Sequence, residues 1–272
     1  MTTPILDTAT ASSNVAIDFT RIFGALRASV VQQLLAVWYG MPEYRDANVD
    51  DWLGVALPLV QAAEETSAVA TTTYMQIQMQ LFGSDDILDI PDMSLVTGEA
   101  IRNGAKPEDV YYRPFKEVWT ALSNGISFDD AVDYGAQRLR QLVETDIQLT
   151  HTNTSRTLLS QRNDVVGFRR IPTGEFTCAL CLVASTQRYH KLDLMPIHPG
   201  CDCRVAPIIG DQDPGQIVDK DFLDQIHQAV ERQFGVSARD ARSMDYRKIP
   251  IVQSHGEYGP TLAVRGQHFD VL

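Results

Sequence analysis

All four cysteines of this chain lie between Cys178 and Cys203, a stretch of 26 residues, and none stands elsewhere. They are spaced as Cys178-x-x-Cys181 and, after a gap, His198-Pro-Gly-Cys201-Asp-Cys203. Zn²⁺ takes four nitrogen or sulfur ligands in a tetrahedron. A C-x-x-C turn sets two thiolates on one side of it while a second knuckle closes the other. The pattern offers five candidate ligands for four places: Cys178, Cys181, His198, Cys201 and Cys203. Residues two apart on an extended chain share a face, so Cys201 and Cys203 can both point inward, with His198 competing for a place or standing behind a ligand. The expectation is a structural Zn²⁺ site whose sulfur atoms lie within roughly 4 Å of one another.

Three other uses of these cysteines compete with zinc. A redox pair at Cys178 and Cys181 would sit at the start of a helix after a buried strand, and it leaves the second pair without a role. Two disulfides need an oxidising compartment. The N-terminus, MTTPILDTATASSNVAIDF, has no basic segment followed by an apolar one, so no secretory signal is expected. Small buried cysteines are the last alternative, and Cys201-Asp-Cys203 beside His198-Pro is an unusual core sequence.

A chain of 272 residues with 44% hydrophobic composition can bury a core and divide into modules. Its formal charge of -12 argues against bulk electrostatic binding to nucleic acid or to an anionic membrane, which needs clustered Lys and Arg. The charge is uneven. His151 to Gly210 holds seven basic and four acidic residues, a local excess of +3, so the remainder carries -15. Such an excess is more often a solvated face or a docking patch for an acidic partner than a DNA site.

The most apolar run, IFGALRASVVQQLLAVWYG, is interrupted by Arg27, Gln32 and Gln33, which argues against a membrane span. Val15, Phe19, Ile22, Leu26, Val30, Leu34 and Trp38 recur at helical spacing and predict a first helix, its stripe mostly intramolecular core and otherwise partner-facing. Gly40-Met41-Pro42 ends it. Trp52, Val55, Leu59, Tyr74, Ile77 and Leu81 predict a second long helix, kinked at Pro58 or starting near it. Gly83 to Val110, rich in Gly, Pro and Asp, predicts only a short helix near Leu95 to Arg102 and marks a module boundary. Phe115 to Ser123 is a short helix stopped by Asn124-Gly125. Ser127-Phe-Asp-Asp130 then caps one helix, or two in succession, carrying Leu139, Leu142, Val143, Ile147, Leu158 and Leu159. The Thr and Asn run from Thr150 to Thr154 is the place for a break.

Val165 to Ile171 and Arg204 to Ile209 read as strands on either side of the cysteines, the second at a sheet edge because Pro207 has no N–H to donate. Ile217 to Phe234 reads as an amphipathic helix, Ser237 caps a short one, and the tail beyond Ile249 is extended or hairpin-like. The fold class is α+β and mainly helical. A helical region at 1–110 precedes a module of helices and a zinc knuckle at 111–210, then a C-terminal helix with an extended tail at 211–272. A small β unit buries little apolar area, so Val165 to Ile209 should depend on its metal for structure.

The order of Val143-Glu-Thr-Asp-Ile-Gln, Val165-Val-Gly-Phe-Arg-Arg, Cys178-x-x-Cys181, Tyr189-His190 and Leu194-Met-Pro-Ile-His-Pro-Gly-Cys-Asp-Cys203 resembles the phage Mu protein F-like minor head proteins. The likeness is closest to the forms found in tailed phages of actinobacteria, and it covers about Arg113 to Ile209. The family motif, C-x-x-C followed by H-P-x-C-x-C, falls on Cys178, Cys181, His198, Cys201 and Cys203. What the resemblance implies is a minor capsid component that associates with the portal protein during head assembly. It stays in the virion near the portal and can leave with the genome. Assembly in the host cytoplasm would keep the thiols reduced and able to hold Zn²⁺. Neither sequence-specific nucleic-acid binding nor a membrane is expected.

An enzyme is not expected either. Relatives of this kind carry capsid maturation protease or ADP-ribosyltransferase labels, yet the chain has no G-x-S-x-G elbow, no H-E-x-x-H, and no P-C-x-x-C with an H-x-E ahead of it. The chemical alternative is a metal-dependent nuclease using His190, Asp193, His198 and Asp202, set against the plainer reading of His190 and Asp193 as surface turn residues. A host-directed regulator built on a zinc module is a third class.

Overall fold

A computed structural model describes residues 3–173, 179–185, 187–196, 201, 203–214, 250–255 and 259–264, with positions 224, 228 and 231. The fold is α+β and mainly helical, as the periodicity predicts. Three long helices form the body: α1 (Thr3–Tyr39), α2 (Val49–Leu81) and α5 (Phe128–Ser160), with the short α3 (Pro107–Tyr111) and α4 (Arg113–Ser123) between the last two.

Helix α1 stops at Tyr39, just before Gly40 and Pro42. Its buried apolar side chains are Ala16, Phe19, Phe23, Val30, Val31, Leu34 and Trp38, which recur at one to two helical turns with Val30 and Val31 adjacent, so most of the apolar stripe is core. The seam runs through Phe23 rather than Ile22, which is 63% exposed. By length and composition alone Thr8–Tyr39 is apolar enough to cross a membrane. Its apolar side is occupied instead by α2 and α5, with which it shares a single core.

Helix α2 begins with Asp50 and Asp51, whose charges suit the positive end of the helix dipole. It runs unbroken through Pro58. Proline there cannot donate to the carbonyl of Gly54, and both residues are exposed, so water can take that acceptor. Between Phe82 and Lys106 the only helical pieces are 3₁₀ turns at Met93–Leu95 and Gly98–Ile101, where the sequence predicts a short helix. The core is continuous across this segment: Tyr74 and Met79 of α2 share it with Phe115 of α4 and Leu139 of α5.

Gly125, at φ 80°, ends the α4 hairpin, and the hydroxyl of Ser127 accepts from Asp130 N at 3.3 Å to cap α5. Helix α5 continues through Thr150 to Thr154 without a break. Burial overrides the weak propensity of these residues: Thr150, His151 and Thr154 are each at most 2% exposed. Thr71 Oγ1 lies 3.0 Å from His151 Nδ1, and Ser67 donates to the Ile147 carbonyl at 3.1 Å, which pins α5 to α2.

At the other end Trp38 stands edge-on to Trp52 and Phe115, and its indole N–H donates to the Val132 carbonyl at 3.1 Å. Gly135 makes this approach possible, since a Cβ there would run into the Trp38 ring and reach within 2.8 Å of Val118 Cγ2. Gly135→Ala should therefore cost about 1–3 kcal/mol through overpacking. The effect reads out as a lower Tm with a shifted tryptophan emission; an unchanged melt would mean that α1 and α5 do not meet this closely.

Strand β1 (Val165–Ile171) is the middle of a three-stranded antiparallel sheet, with β2 (Tyr189–His190) on one side and β3 (Arg204–Ile209) on the other. Pro207 sits opposite Phe168 on the edge strand β3, where its missing N–H costs no ladder bond. Tyr74 donates to the Val205 carbonyl at 2.9 Å, and Arg204 Nε to Thr20 Oγ1 at 3.0 Å, so the sheet docks on α2 and α1. Helix α6 (Ala179–Ser185) lies between β1 and β2 in sequence. The tail forms an antiparallel hairpin of β4 (Pro250–His255) and β5 (Gly259–Val264), with α6 against β4. Asp224, Gln228 and Glu231 are helical, while the rest of Ile217 to Phe234 and the helix capped by Ser237 lie outside the described residues.

Candidate metal centre

Helix α6 carries Cys181, and the residues entering β3 carry Cys201 and Cys203. The three thiols are 3%, 4% and 8% exposed. Their sulfur atoms all lie within 4.8 Å of one another, and Cys181 Sγ is 3.3 Å from Cys201 Sγ. A tetrahedral site with bonds of ~2.3 Å holds its sulfurs ~3.8 Å apart, so this spacing suits ligation. It is too long for a disulfide, whose sulfurs sit at about 2.05 Å. The Cys203 N–H points at Cys201 Sγ over 3.5 Å, a donor that steadies a thiolate there.

Cys201 and Cys203 converge, as the sequence predicts. Cys181 differs: it lies in the first turn of a helix rather than in a free turn, the position the sequence reading associates with redox pairs. A redox pair, however, has no use for two further thiols in the same space. Cys178, His198 and Asp202 lie outside the described residues.

Crowding sets the electrostatics. The hydrogen bond with Cys181 pulls the Cys203 thiol down, as Arg170 does more weakly, while the hydrogen bond with Cys201, burial and the Cys201 charge push it up; the upward causes win, well above the usual thiol range. Three thiols this close cannot all ionise without a cation. The donor set therefore fits a metal ion: soft, buried, already converged, and dependent on positive charge to become anionic.

Around the thiols Tyr189 packs against Leu180, Cys181, Ala184, Cys201 and Cys203. Its ring stacks on Phe168 with centroids 5.1 Å apart. Arg170, 5% exposed, lies 5.8 Å from the Tyr189 ring and 5.9 Å from that of Phe168, and donates through Nη2 to the Met195 carbonyl. Sequence reasoning passed over Arg170; its alternation with Phe168 on one strand face was the available signal.

His190 ends β2 and Asp193 follows the turn after it, both exposed, and Asp193 N donates to the His190 carbonyl at 2.8 Å. Among the described residues no second group of three or more His, Cys, Asp or Glu side chains gathers at ligating distance. Two open clefts, of about 650 Å³ beside Tyr44, Trp119 and Phe128 and about 510 Å³ beside Thr20, Arg27 and Arg140, contain none of the thiols. Compared with known proteins, the chain matches no family model, no curated protein and no solved structure.

Proposed function

We propose that this chain is a minor head protein of the Mu protein F-like kind, which joins a phage portal through its helical body and uses a structural zinc knuckle as a fastener. The observation that carries the reading is the meeting of Cys181, Cys201 and Cys203 in one buried cluster between α6 and the sheet. These are three of the five positions on which the C-x-x-C and H-P-x-C-x-C motif falls. Zinc is the metal that suits such a set: thiolate-rich, enclosed, and without redox demands. Cys178 and His198 are the candidates to close the tetrahedron.

Several features support a fastener over a reaction centre. A catalytic zinc keeps one position open to water, whereas these thiols are nearly closed to solvent and two more ligands stand in the adjoining sequence. The nuclease alternative loses ground because His190 and Asp193 are exposed and belong to no ligand cluster among the described residues. An acidic chain also suits a capsid interior, since like charge keeps it from being trapped on packaged DNA.

The docking surface is not the α1 stripe as a whole. Phe19 is 6% exposed and belongs to the core, so Phe19→Asp would report unfolding rather than a lost interface. Co-expression with the portal and major capsid proteins of the same phage tests the reading directly. The chain should co-sediment with portal assemblies and contain about one zinc per chain. Failure to associate, with the chain folded and metal-loaded, removes the capsid assignment; metal-dependent DNA cleavage by the pure protein replaces it with the nuclease.

A further inference from the structure

We propose that Arg170 is the charge partner of the metal–thiolate centre, the buried cation that lets an anionic cluster exist at this point of the fold. The inference rests on the metal reading above and adds to it a residue that the ligand motif does not contain.

The argument begins with the cost of Arg170. A guanidinium that is 5% exposed has left water, and an uncompensated buried charge costs several kcal/mol. Among the described residues no carboxylate pairs with it. Its partners among the described residues are the Met195 carbonyl and the faces of Phe168 and Tyr189. These satisfy one N–H and some of the dispersion but supply no negative charge, and Nε has no hydrogen-bond partner at all. Among the described residues the group that can supply the anion is the cysteine cluster. Tyr189 lies against both Arg170 and the thiols, which places the guanidinium and the cluster around one ring.

The charges then match. Three thiolates on one divalent cation leave one negative charge in excess; a fourth thiolate from Cys178 leaves two, and a neutral imidazole from His198 leaves one. A single guanidinium offsets that excess wholly or by half. With protonated thiols and no metal the cluster is neutral and Arg170 has nothing to balance. Position reinforces charge. Arg170 stands on β1 opposite Val205, and the chain reaches Cys203 two residues before that, so the guanidinium is built into the strand pair that delivers the ligand. Its bond to the Met195 carbonyl also ties β1 to the residues that follow β2.

Three variants separate charge from packing. Arg170→Lys keeps the charge and loses the planar fork; Arg170→Gln keeps a donor for Met195 and loses the charge; Arg170→Met keeps only the volume. Each is purified with zinc, and zinc transfer to a chromogenic chelator is timed at neutral pH, with Co²⁺ substitution reporting the ligand set through its thiolate-to-metal absorption. Outer partners of a metal site typically change affinity by about 10–100-fold. The Gln and Met variants should release zinc at least ~10-fold faster with an unchanged cobalt spectrum, and the Lys variant within ~3-fold of the parent. Equal release from all four proteins overturns the proposal, as does a Lys variant as fast as Met, which would make Arg170 a packing residue. Should Met fail to fold, the Lys against Gln comparison carries the test. A parent protein that contains no metal and binds none defeats the metal reading itself, a different result from either of these.

Discussion

On the metal reading proposed above, stripping the ion with a chelator, or replacing Cys201 with Ser, is expected to open residues 179–203 to protease within minutes while the three long helices stay protected. The cluster that would remain is small: Leu180, Cys181, Ala184, Cys201 and Cys203, with Tyr189 beside it. Burial on that scale cannot hold α6, Cys201 and Cys203 in place. In zinc-finger peptides the metal supplies roughly 10–16 kcal/mol of apparent folding free energy, far more than so few side chains can replace. The loss should also spread to the β4–β5 hairpin, because α6 lies against β4.

The expected boundary is narrower than the sequence suggests. Val165, Phe168 and Val205 belong to the main core, and Tyr74 holds the Val205 carbonyl, so β1 and β3 are fastened to the helices whether or not metal is bound. Early cuts should therefore cluster between Ala179 and Cys203, with Val165 to Ile171 protected and far-UV ellipticity nearly intact. Two patterns would sink the assignment: first cuts inside α1, or an unchanged digest after complete metal removal.

Why one boundary was legible and the other was not comes down to the range of the signals. Helix limits were written locally, in Gly40 and Pro42 after α1, in Asn124-Gly125 after α4, and in the Ser127 cap of α5. The strands around the cysteines were legible because Pro207 and the alternation near Val165 act within a few residues. Thr150 to Thr154 misled because intrinsic propensity is a few tenths of a kcal/mol per residue, and burial against α2 outweighs it. Phe23 replaced Ile22 in the core for a similar reason: which of two neighbouring apolar residues faces inward depends on where α5 and Arg204 arrive, 4.5 Å from the Phe23 ring in the case of the guanidinium. At the cysteine cluster the candidate ligand types were visible in the spacing, but the burial of Arg170 against Tyr189 and Met195 was not, since those contacts come from outside its own strand.

The second large effect is expected at a buried polar network that no motif announces. Arg102 and Asp146 are each 3% exposed, and Arg102 Nε meets Asp146 Oδ1 at 2.5 Å. Tyr111 donates to the other carboxylate oxygen at 2.6 Å, and Arg102 Nη2 to the Leu142 carbonyl at 3.0 Å. Glu64 stands nearby on α2, accepting from Gly98 N at 2.8 Å. Together they tie the 3₁₀ turn at Gly98–Ile101 and α3 to the long helices. Removing one member leaves the others buried and uncompensated, so Asp146→Ala or Arg102→Ala should cost about 3–5 kcal/mol, enough to lower Tm by many degrees. Replacing Arg102, Tyr111 and Asp146 together by Met, Phe and Leu should recover much of that loss, because the desolvation penalty disappears with the charges.

The same network makes stability depend on pH in a defined direction. Burial, then the Asp146 charge, pushes the Glu64 carboxyl up from its ordinary 4.5 to about 8. Between those values the folded protein holds a proton that the unfolded chain has released, so this group's contribution is full below about pH 4.5 and is lost as pH rises through about 8. Glu64→Gln keeps an acceptor for Gly98 N and removes the titration. Its Tm should exceed that of the parent at pH 9, and the fall between pH 5 and pH 9 should flatten by the part that Glu64 causes. Melting curves of the two proteins across that range decide the matter: parallel pH profiles would show that Glu64 does not hold the proton and that another group sets the slope.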